Sequence, residues 1–420
     1  MFDRVKVAAL ALALAGPVAG WTSTASAATP SSGAGVPGVS ATSITIGFVT
    51  SETGPAAPTF SDGAGGALAR FALQNAKGGV DGRKLQLVTK DDQSSPTTAG
   101  TVGTELAGSN VFGVIEDSAI DEDYETGDKA LAVDQVPVTT WGSNTVDPDV
   151  FDAYGANVPG LGGTLDGATY GYNYIGPFFK SIGVKRLAGV TYTTLGTGFN
   201  ESLAMLKKQD HIVTCYDDVN VPIGGVNFTV DALAISHSNC DAVYVSAVDS
   251  TDVAIASALK NEGSTAKQLY ATGYDNEVLG QPLSASALNG AYFLSELNMT
   301  DPNAATKTML SALKKYDKSY KGGLPDLGTV FAYLSANLMI EGLQLAGANP
   351  TRPAFIANLR NVSTYNAGGL LPDNLTFTHF GTAAGLPATQ CEYYMQLRSG
   401  KYYSTHGAKP LCGPLVKLSS

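Results

Sequence analysis

Histidine occurs only four times in this chain, at His211, His237, His379 and His406. No two stand at HxxH or HExxH spacing, so the helical zinc motifs that depend on such pairs are missing. The four cysteines, Cys215, Cys240, Cys391 and Cys412, include no CxxC pair, which removes the usual structural metal site. There is no GxSxG turn to present a serine nucleophile and no GxxxxGK loop to cradle a phosphate. A formal GxGxxG (Gly33, Gly35, Gly38) has no strand before it and contains Pro37, so it is no dinucleotide loop. Positive charge is also short: 26 Lys and Arg face 37 Asp and Glu, for a net charge of −11. Such a chain is a poor partner for nucleic acid or an anionic membrane surface. These absences point away from catalysis, cofactors and metals: the chain reads as a non-enzyme.

Residues 1–27 carry a basic start (Arg4, Lys6), an apolar run over 7–19 and a small-residue end, Ala25-Ser26-Ala27. That is the layout of a cleaved secretory signal peptide. The run is too short for a membrane span and is interrupted by Pro17. No cysteine follows the expected cleavage point, so no lipid anchor is expected, and no later segment approaches a span. The mature protein is expected in a periplasm or at a cell wall. An even cysteine count in an exported chain suggests disulfides. Three pairings are open. Cys391 with Cys412 would staple the tail, and Cys215 with Cys240 would tie neighbouring strand regions.

After a flexible lead-in over 28–42, apolar strand-like runs alternate with helical stretches. Strands are expected at 44–49, 84–90, 111–115 and 136–140, with helices at 62–75, 97–107 and 121–133. A Gly-rich passage follows. The pattern then restarts with a helix over 170–182 and strands at 186–192, 211–217, 241–247, 268–273 and 291–297. Helices are expected between these strands, at 200–209, 229–236 and 252–262. Two long helices, 304–320 and 328–346, come next, and the tail holds short strand-like pieces at 375–378 and 392–398. Strands separated by helices imply parallel βαβ units, and wholly apolar strands imply helices on both faces. The fold class is α/β, with two doubly wound parallel-sheet lobes.

Ligands of such sheets bind beyond the carboxyl ends of the strands, and with two sheets the natural site is the cleft between them. The loops after Val49, Ile115, Thr140, Tyr192, Ala247 and Gly273 are therefore the candidates. In EDSAIDEDYETGD the acids fit the start of a helix, though Asp117 and Ser118 follow a strand directly. TTWGSN offers an apolar wall in Trp141 and a hydroxyl in Ser143; alternatively Trp141 is core. GYDNE sets Asp275 just past a strand, either to pair with an ammonium group or to cap the next helix. Asp91 and Asp92 in TKDDQSSP are neighbours on a strand, so they point to opposite faces and cannot act as an opposed acid/base pair. They read as a strand end, with Asp92 or Ser95 available to cap a helix.

The stretches ITIGFVTSETGPAA, GGVDGRKLQLVTKDDQSSP, and VFGVI followed by VPVTTWGSN resemble the leucine/isoleucine/valine-binding group of periplasmic substrate-binding proteins of ABC transporters. The resemblance runs from Ile44 to the strand at Ala291 and, more loosely, into the tail. It implies a type 1 periplasmic binding protein fold, with lobe 1 at 43–155 plus 298–368 and lobe 2 at 156–297 plus 369–420. Three crossings would form a hinge that closes on a small molecule. It also implies a permease partner. The residues it places at the ligand are Phe60, Trp141, Ser143, Tyr274, Asp275 and Tyr333. Ser118 stands two residues from an expected serine, which aligns with Ile120, and Tyr192 closes a cleft strand. Two wall positions fall at Leu195 and Val248, where aromatics would be expected, so the walls are rebuilt. The implied ligand is a branched-chain or other hydrophobic amino acid, or a related amide. A sensing module has the same cleft, and an exported hydrolase would need a histidine base that no cleft strand supplies.

Overall fold

The computed structural model describes residues 35–118, 125–141, 170–378 and 388–418. Two sheets organise them. The first has four parallel strands in the order β2-β1-β3-β4: β1 (Ser43–Thr50), β2 (Lys84–Asp91), β3 (Val114–Asp117) and β4 (Val138–Thr140). The second has nine. Its parallel part comprises β6 (Arg186–Tyr192), β7 (Val213–Val221), β8 (Ala242–Ser246), β9 (Lys267–Tyr270) and β10 (Tyr292–Ser295), in the order β10-β9-β8-β6-β7. An antiparallel flank extends it through β11 (Thr389–Arg398), β13 (Leu411–Lys417) and β5 (Tyr170–Tyr172), with β12 (Lys401–Ser404) paired to β11. The central strands are buried along most of their length, as a sheet covered on both faces requires.

Three helices position the cleft side of the first sheet. A single turn, α1 (Ala57–Phe60), leads into α2 (Gly63–Ala76), and both pack against a 20-residue helix late in the chain, Leu327–Ala346. That helix is apolar almost all round and largely buried, so it is a core element. Its approach is close because glycines remove the obstacle: a Cβ at Gly66 would strike the Thr329 carbonyl, and one at Gly328 would strike Thr59 and Phe60. Later in the chain, Ala304–Tyr316 also packs on α2. The segments 304–316 and 327–346 thus return to the first sheet, whereas β11 to β13 extend the second.

Several expectations move. The segment expected as a helix over 170–182 opens as the edge strand β5, and only Ile175–Ser181 is helical. Tyr-Gly-Tyr-Asn is poor helix material, and Tyr170 to Tyr172 instead pairs with β13. The second sheet is mixed, because β11 runs antiparallel to β10 and β5 to β13, and the tail adds two strands, β12 and β13, that the pattern did not disclose. The piece around Leu375 is reduced to a single bridge to Tyr365. Disulfides join Cys215 to Cys240 and Cys391 to Cys412. The second lies between directly paired residues of β11 and β13, so it staples the antiparallel flank. No helix of the described residues is long and apolar enough to cross a membrane.

Candidate functional site

The carboxyl-end loops of the two sheets meet. The Asp249 N–H, after β8, donates to Thr59 Oγ1 in α1 at 3.0 Å. The Asn276 N–H, after β9, donates to the Leu324 carbonyl at 3.3 Å, and Gly224, after β7, lies against Pro55. Contacts of this kind can form only when both sets of loops face the same space.

On the first sheet, the adjacent acids after β2 are structural. Asp91 accepts from the Thr53 hydroxyl at 2.6 Å and from the N–H groups of Thr53 and Gln93. Burial raises its carboxyl, but these bonds outweigh it and hold Asp91 below the usual range. Asp92 accepts from the Ser94 N–H and the Ser51 hydroxyl, and Ser51 lies 2.8 Å from Ser118. The helix that follows, Pro96–Ala107, is capped by Ser95 through the Thr98 N–H. Ser118 is thus fixed at the end of β3 by a hydroxyl network. Asp117 lies against Gly63 at the first turn of α2. Phe60 and Trp141 are buried, and the Trp141 indole N–H has no acceptor among the described residues. Ser143 falls outside the described residues. Tyr333 is buried in the helix 327–346, close enough to Arg70 of α2 to sense its charge.

On the second sheet, the Tyr192 hydroxyl ties two loops together. It donates to Thr251 Oγ1 at 2.9 Å and accepts from the Val248 N–H at 3.0 Å, and burial pushes its phenol up to about 12. Tyr192 is therefore a strut for the loop after β8. That loop starts the helix α3 (Asp249–Asn261), whose first turn brings two acids into the interior. Asp249 Oδ1 accepts from the Gly273 N–H at 2.7 Å, and Asp252 Oδ2 from the Thr272 hydroxyl at 2.7 Å. Asp275 accepts the Val278 N–H on Oδ1 at 2.9 Å, capping a short helix. Its neighbour Tyr274 is fully buried, edge-on to Phe293.

Asp249 and Asp275 converge. They are 2% and 3% exposed, which matters because a buried carboxylate without a counter-charge is costly. Neither forms a salt bridge among the described residues. Burial raises the Asp249 carboxyl well above its ordinary value, and Asp275 beside it raises it further. Across the junction Asp326 caps the helix 327–346 through the Thr329 N–H, and burial pushes its carboxyl up to about 8. The junction is thus acid-rich and buried, with aromatic side chains close by. It suits a small molecule with a positively charged or hydrogen-bond-donating end and an apolar body.

A periplasmic binding protein family model matches residues 43–401. The chain belongs to the periplasmic binding protein family. Solved structures of similar fold include three solute-binding proteins. A fatty acid ABC transporter substrate-binding protein from Thermomonospora curvata is 19% identical, with a TM-score of 0.69 over 91% of this chain and 95% of that one. An ABC transporter solute-binding protein from R. palustris, in complex with benzoate, is 17% identical, with a TM-score of 0.68 over 89% and 97%. The branched-chain amino acid transporter substrate-binding protein LivJ from Streptococcus pneumoniae, in complex with isoleucine, is 19% identical, with a TM-score of 0.69 over 88% and 99%. At these identities the likeness is one of fold. No curated protein matches the chain in sequence.

Of the residues singled out from the sequence, the structure brings Phe60 (through its neighbour Thr59), Tyr192, Tyr274 and Asp275 to one junction. It holds Ser118 in a network with Ser51 and Asp92. Thr59, Asp249 and Asp326 were missed. Asp249 carried a signal, an acid directly after a cleft strand in VYVSAVDSTD, but an acid there also reads as helix-start chemistry.

Proposed function

We propose that this periplasmic binding protein is an exported solute-binding protein. It captures a branched-chain or other hydrophobic amino acid, or a related amide, and delivers it to an ABC importer. In this reading lobe 1 (43–155 plus 298–368) and lobe 2 (156–297 plus 369–420) close on the ligand by a hinge motion. Phe60, Trp141 and Tyr274 supply apolar wall, and Ser118 and Ser143 supply hydroxyls. Asp275 receives the ligand's ammonium group. The observation that carries the reading is the Asp275 carboxylate itself. One oxygen is committed to the Val278 N–H, and the other, Oδ2, is buried with no donor among the described residues. A bound ammonium would fill that oxygen with a charge-assisted hydrogen bond.

The test is a thermal-shift screen of the mature protein against amino acids, amides, small carboxylates and aromatic acids. Binding to the native state alone raises the melting temperature by mass action. A shift with leucine, isoleucine or valine that Asp275→Ala abolishes supports the reading. A shift confined to carboxylates that Asp275→Ala leaves intact would remove Asp275 from the site.

A further inference from the structure

Acids outnumber bases in this chain, 37 to 26, yet one stretch reverses the balance. Between residues 302 and 325 stand five lysines, Lys307, Lys314, Lys315, Lys318 and Lys321, and a single acid, Asp317. All five lysines are exposed, and none forms an ion pair among the described residues. Asp317 is buried, and its Oδ1 accepts from the N–H and the hydroxyl of Ser319. The helix 304–316 packs on α2, and neither helix contains an acid. Lys314 and Lys315 suit the last turn of their helix, where the dipole attracts cations. Lys307 does not. It is the fourth residue of the helix, no acid stands in the first turn, and the same dipole opposes its charge.

The lysine set against that field borders a groove. Lys307, Thr308, Ser311 and Lys315, with Ala312, Tyr316 and Leu73 of α2, line a surface cavity of about 290 Å³. Lys307, Ser311 and Lys315 follow one another at intervals of four, so they share one face, and the two ammonium groups bracket the Ser311 hydroxyl over about 12 Å of helix. The Thr308 and Ser311 hydroxyls donate to the carbonyls of Ala304 and Lys307, and each can rotate its proton onto a ligand oxygen. Lys315 Nζ rests over the Tyr316 ring, 4.8 Å from its centroid, with an aromatic face in place of a counter-ion. Leu73 lies about 15 Å along α2 from Gly63, whose end of the helix adjoins the cleft loops, so the groove is separate from the site described above.

We propose that this groove is a second ligand site and that it takes a phosphate monoester with a small apolar or aromatic body. A monoester carries about −1.5 to −2 charges at neutral pH and three acceptor oxygens. That matches two ammonium groups and two hydroxyls, whereas a carboxylate would leave one lysine uncompensated. Lysine holds phosphate as a point charge, so two lysines reaching in from either side of Ser311 suffice. The body of the ligand rests on Leu73, Ala312 and Tyr316. The volume fits a small molecule, at the lower end of the range for ligand pockets.

The test is calorimetric titration of the mature protein with phenyl phosphate, inorganic phosphate, benzoate and phenol at low salt. Phenyl phosphate should bind one per chain, more tightly than the other three, and more weakly as salt is added. The double variant Lys307→Gln/Lys315→Gln changes only exposed side chains and should fold normally. It should lose affinity by about tenfold or more, while Lys267→Gln, an exposed lysine elsewhere, changes nothing. No binding of phenyl phosphate, or binding that the double variant retains, overturns the proposal. Inorganic phosphate or phenol binding as tightly also overturns it, because either the body or the charge then contributes nothing. Failure of phenyl phosphate together with lysine-dependent sedimentation on phosphatidylglycerol vesicles, or lysine-dependent self-association, overturns it in favour of a membrane surface or a second copy. A thermal shift by leucine should be the same in the wild type and the double variant. Its loss in the variant alone would overturn the separation of the two sites, and its absence from both would sink the cleft reading and leave this one standing.

Discussion

Glu296 and Glu392 offer the sharpest test of the electrostatics. β10 and β11 pair antiparallel with Ser295 opposite Tyr393, so the next residues in register are Glu296 and Glu392. They are 4% and 1% exposed. Gln390 donates to Glu392 Oε1, but neither oxygen of Glu296 nor Oε2 of Glu392 has a donor among the described residues. Like charges directly opposed on neighbouring strands are destabilising, and burial weakens the screening between them. The groups around them are Tyr174, Tyr244, Tyr274, Tyr394 and Asp373, none of them a cation. Burial pushes the Glu296 carboxyl up to about 7, and burial followed by the nearness of Glu296 raises Glu392. The folded protein therefore binds these protons more tightly than the unfolded chain does. Stability from the pair is complete below the unfolded carboxyl range and is lost as pH rises towards about 7. The rise of Glu296 alone corresponds to about 3 kcal/mol. Glu296→Gln keeps the shape, removes the titration and gives Glu392 a donor. In urea unfolding the variant should gain on the wild type as pH rises, by up to about 3 kcal/mol at the alkaline end. Other buried acids, Asp326 among them, act equally in both proteins and cancel in the difference. A variant whose stability tracks the wild type at every pH would refute the account.

Arg352 donates to three carbonyls, those of Val111, Phe112 and Asp134, so Arg352→Met should cost about 3 kcal/mol or more and be visible as a lowered melting temperature. Thr59→Val removes the acceptor for the Asp249 N–H across the junction. It leaves a buried N–H without its acceptor and should cost about 1–3 kcal/mol, read as a lowered melting temperature of the ligand-free protein. Replacing Cys391 and Cys412 together by Ala opens a loop with a sequence separation of 21 and should cost about 3 kcal/mol in denaturant unfolding. Gly66→Ala would drive a methyl group into the Thr329 carbonyl and should destabilise by about 2 kcal/mol in the same assay.

The central strands were legible because each is a short apolar run bounded by turn residues, and burial on both faces demands that pattern. The antiparallel flank was not. β12 reads KYYS, and β13 contains Pro414 and is at best half-buried over most of its length, so neither presents an apolar face to be recognised. Their place is decided by partners far along the chain, β11 and β5, and by the disulfide that joins β13 to β11. The helix expected from Tyr170 failed for the same reason: an edge strand is specified by its neighbour more than by itself.

The site divides along a similar line. Asp91 and Asp92 could be read correctly because alternation along a strand is local geometry. Asp275 stood between two readings, a helix cap and a counter-ion; the structure shows the cap, and the counter-ion role is the one proposed above. A carboxylate has two oxygens: Oδ1 caps the helix through the Val278 N–H, and this bond fixes the direction in which Oδ2 points. Asp249 repeats the arrangement with the Gly273 N–H. In both cases the backbone bond fixes one oxygen and so orients the other. Asp249 could not have been assigned from its own surroundings in the chain. It gains Asp275 as a neighbour only because the loops after β8 and β9, 26 residues apart at Asp249 and Asp275, end beside each other in a parallel sheet. That adjacency of two buried acids is contained in no single stretch of the sequence.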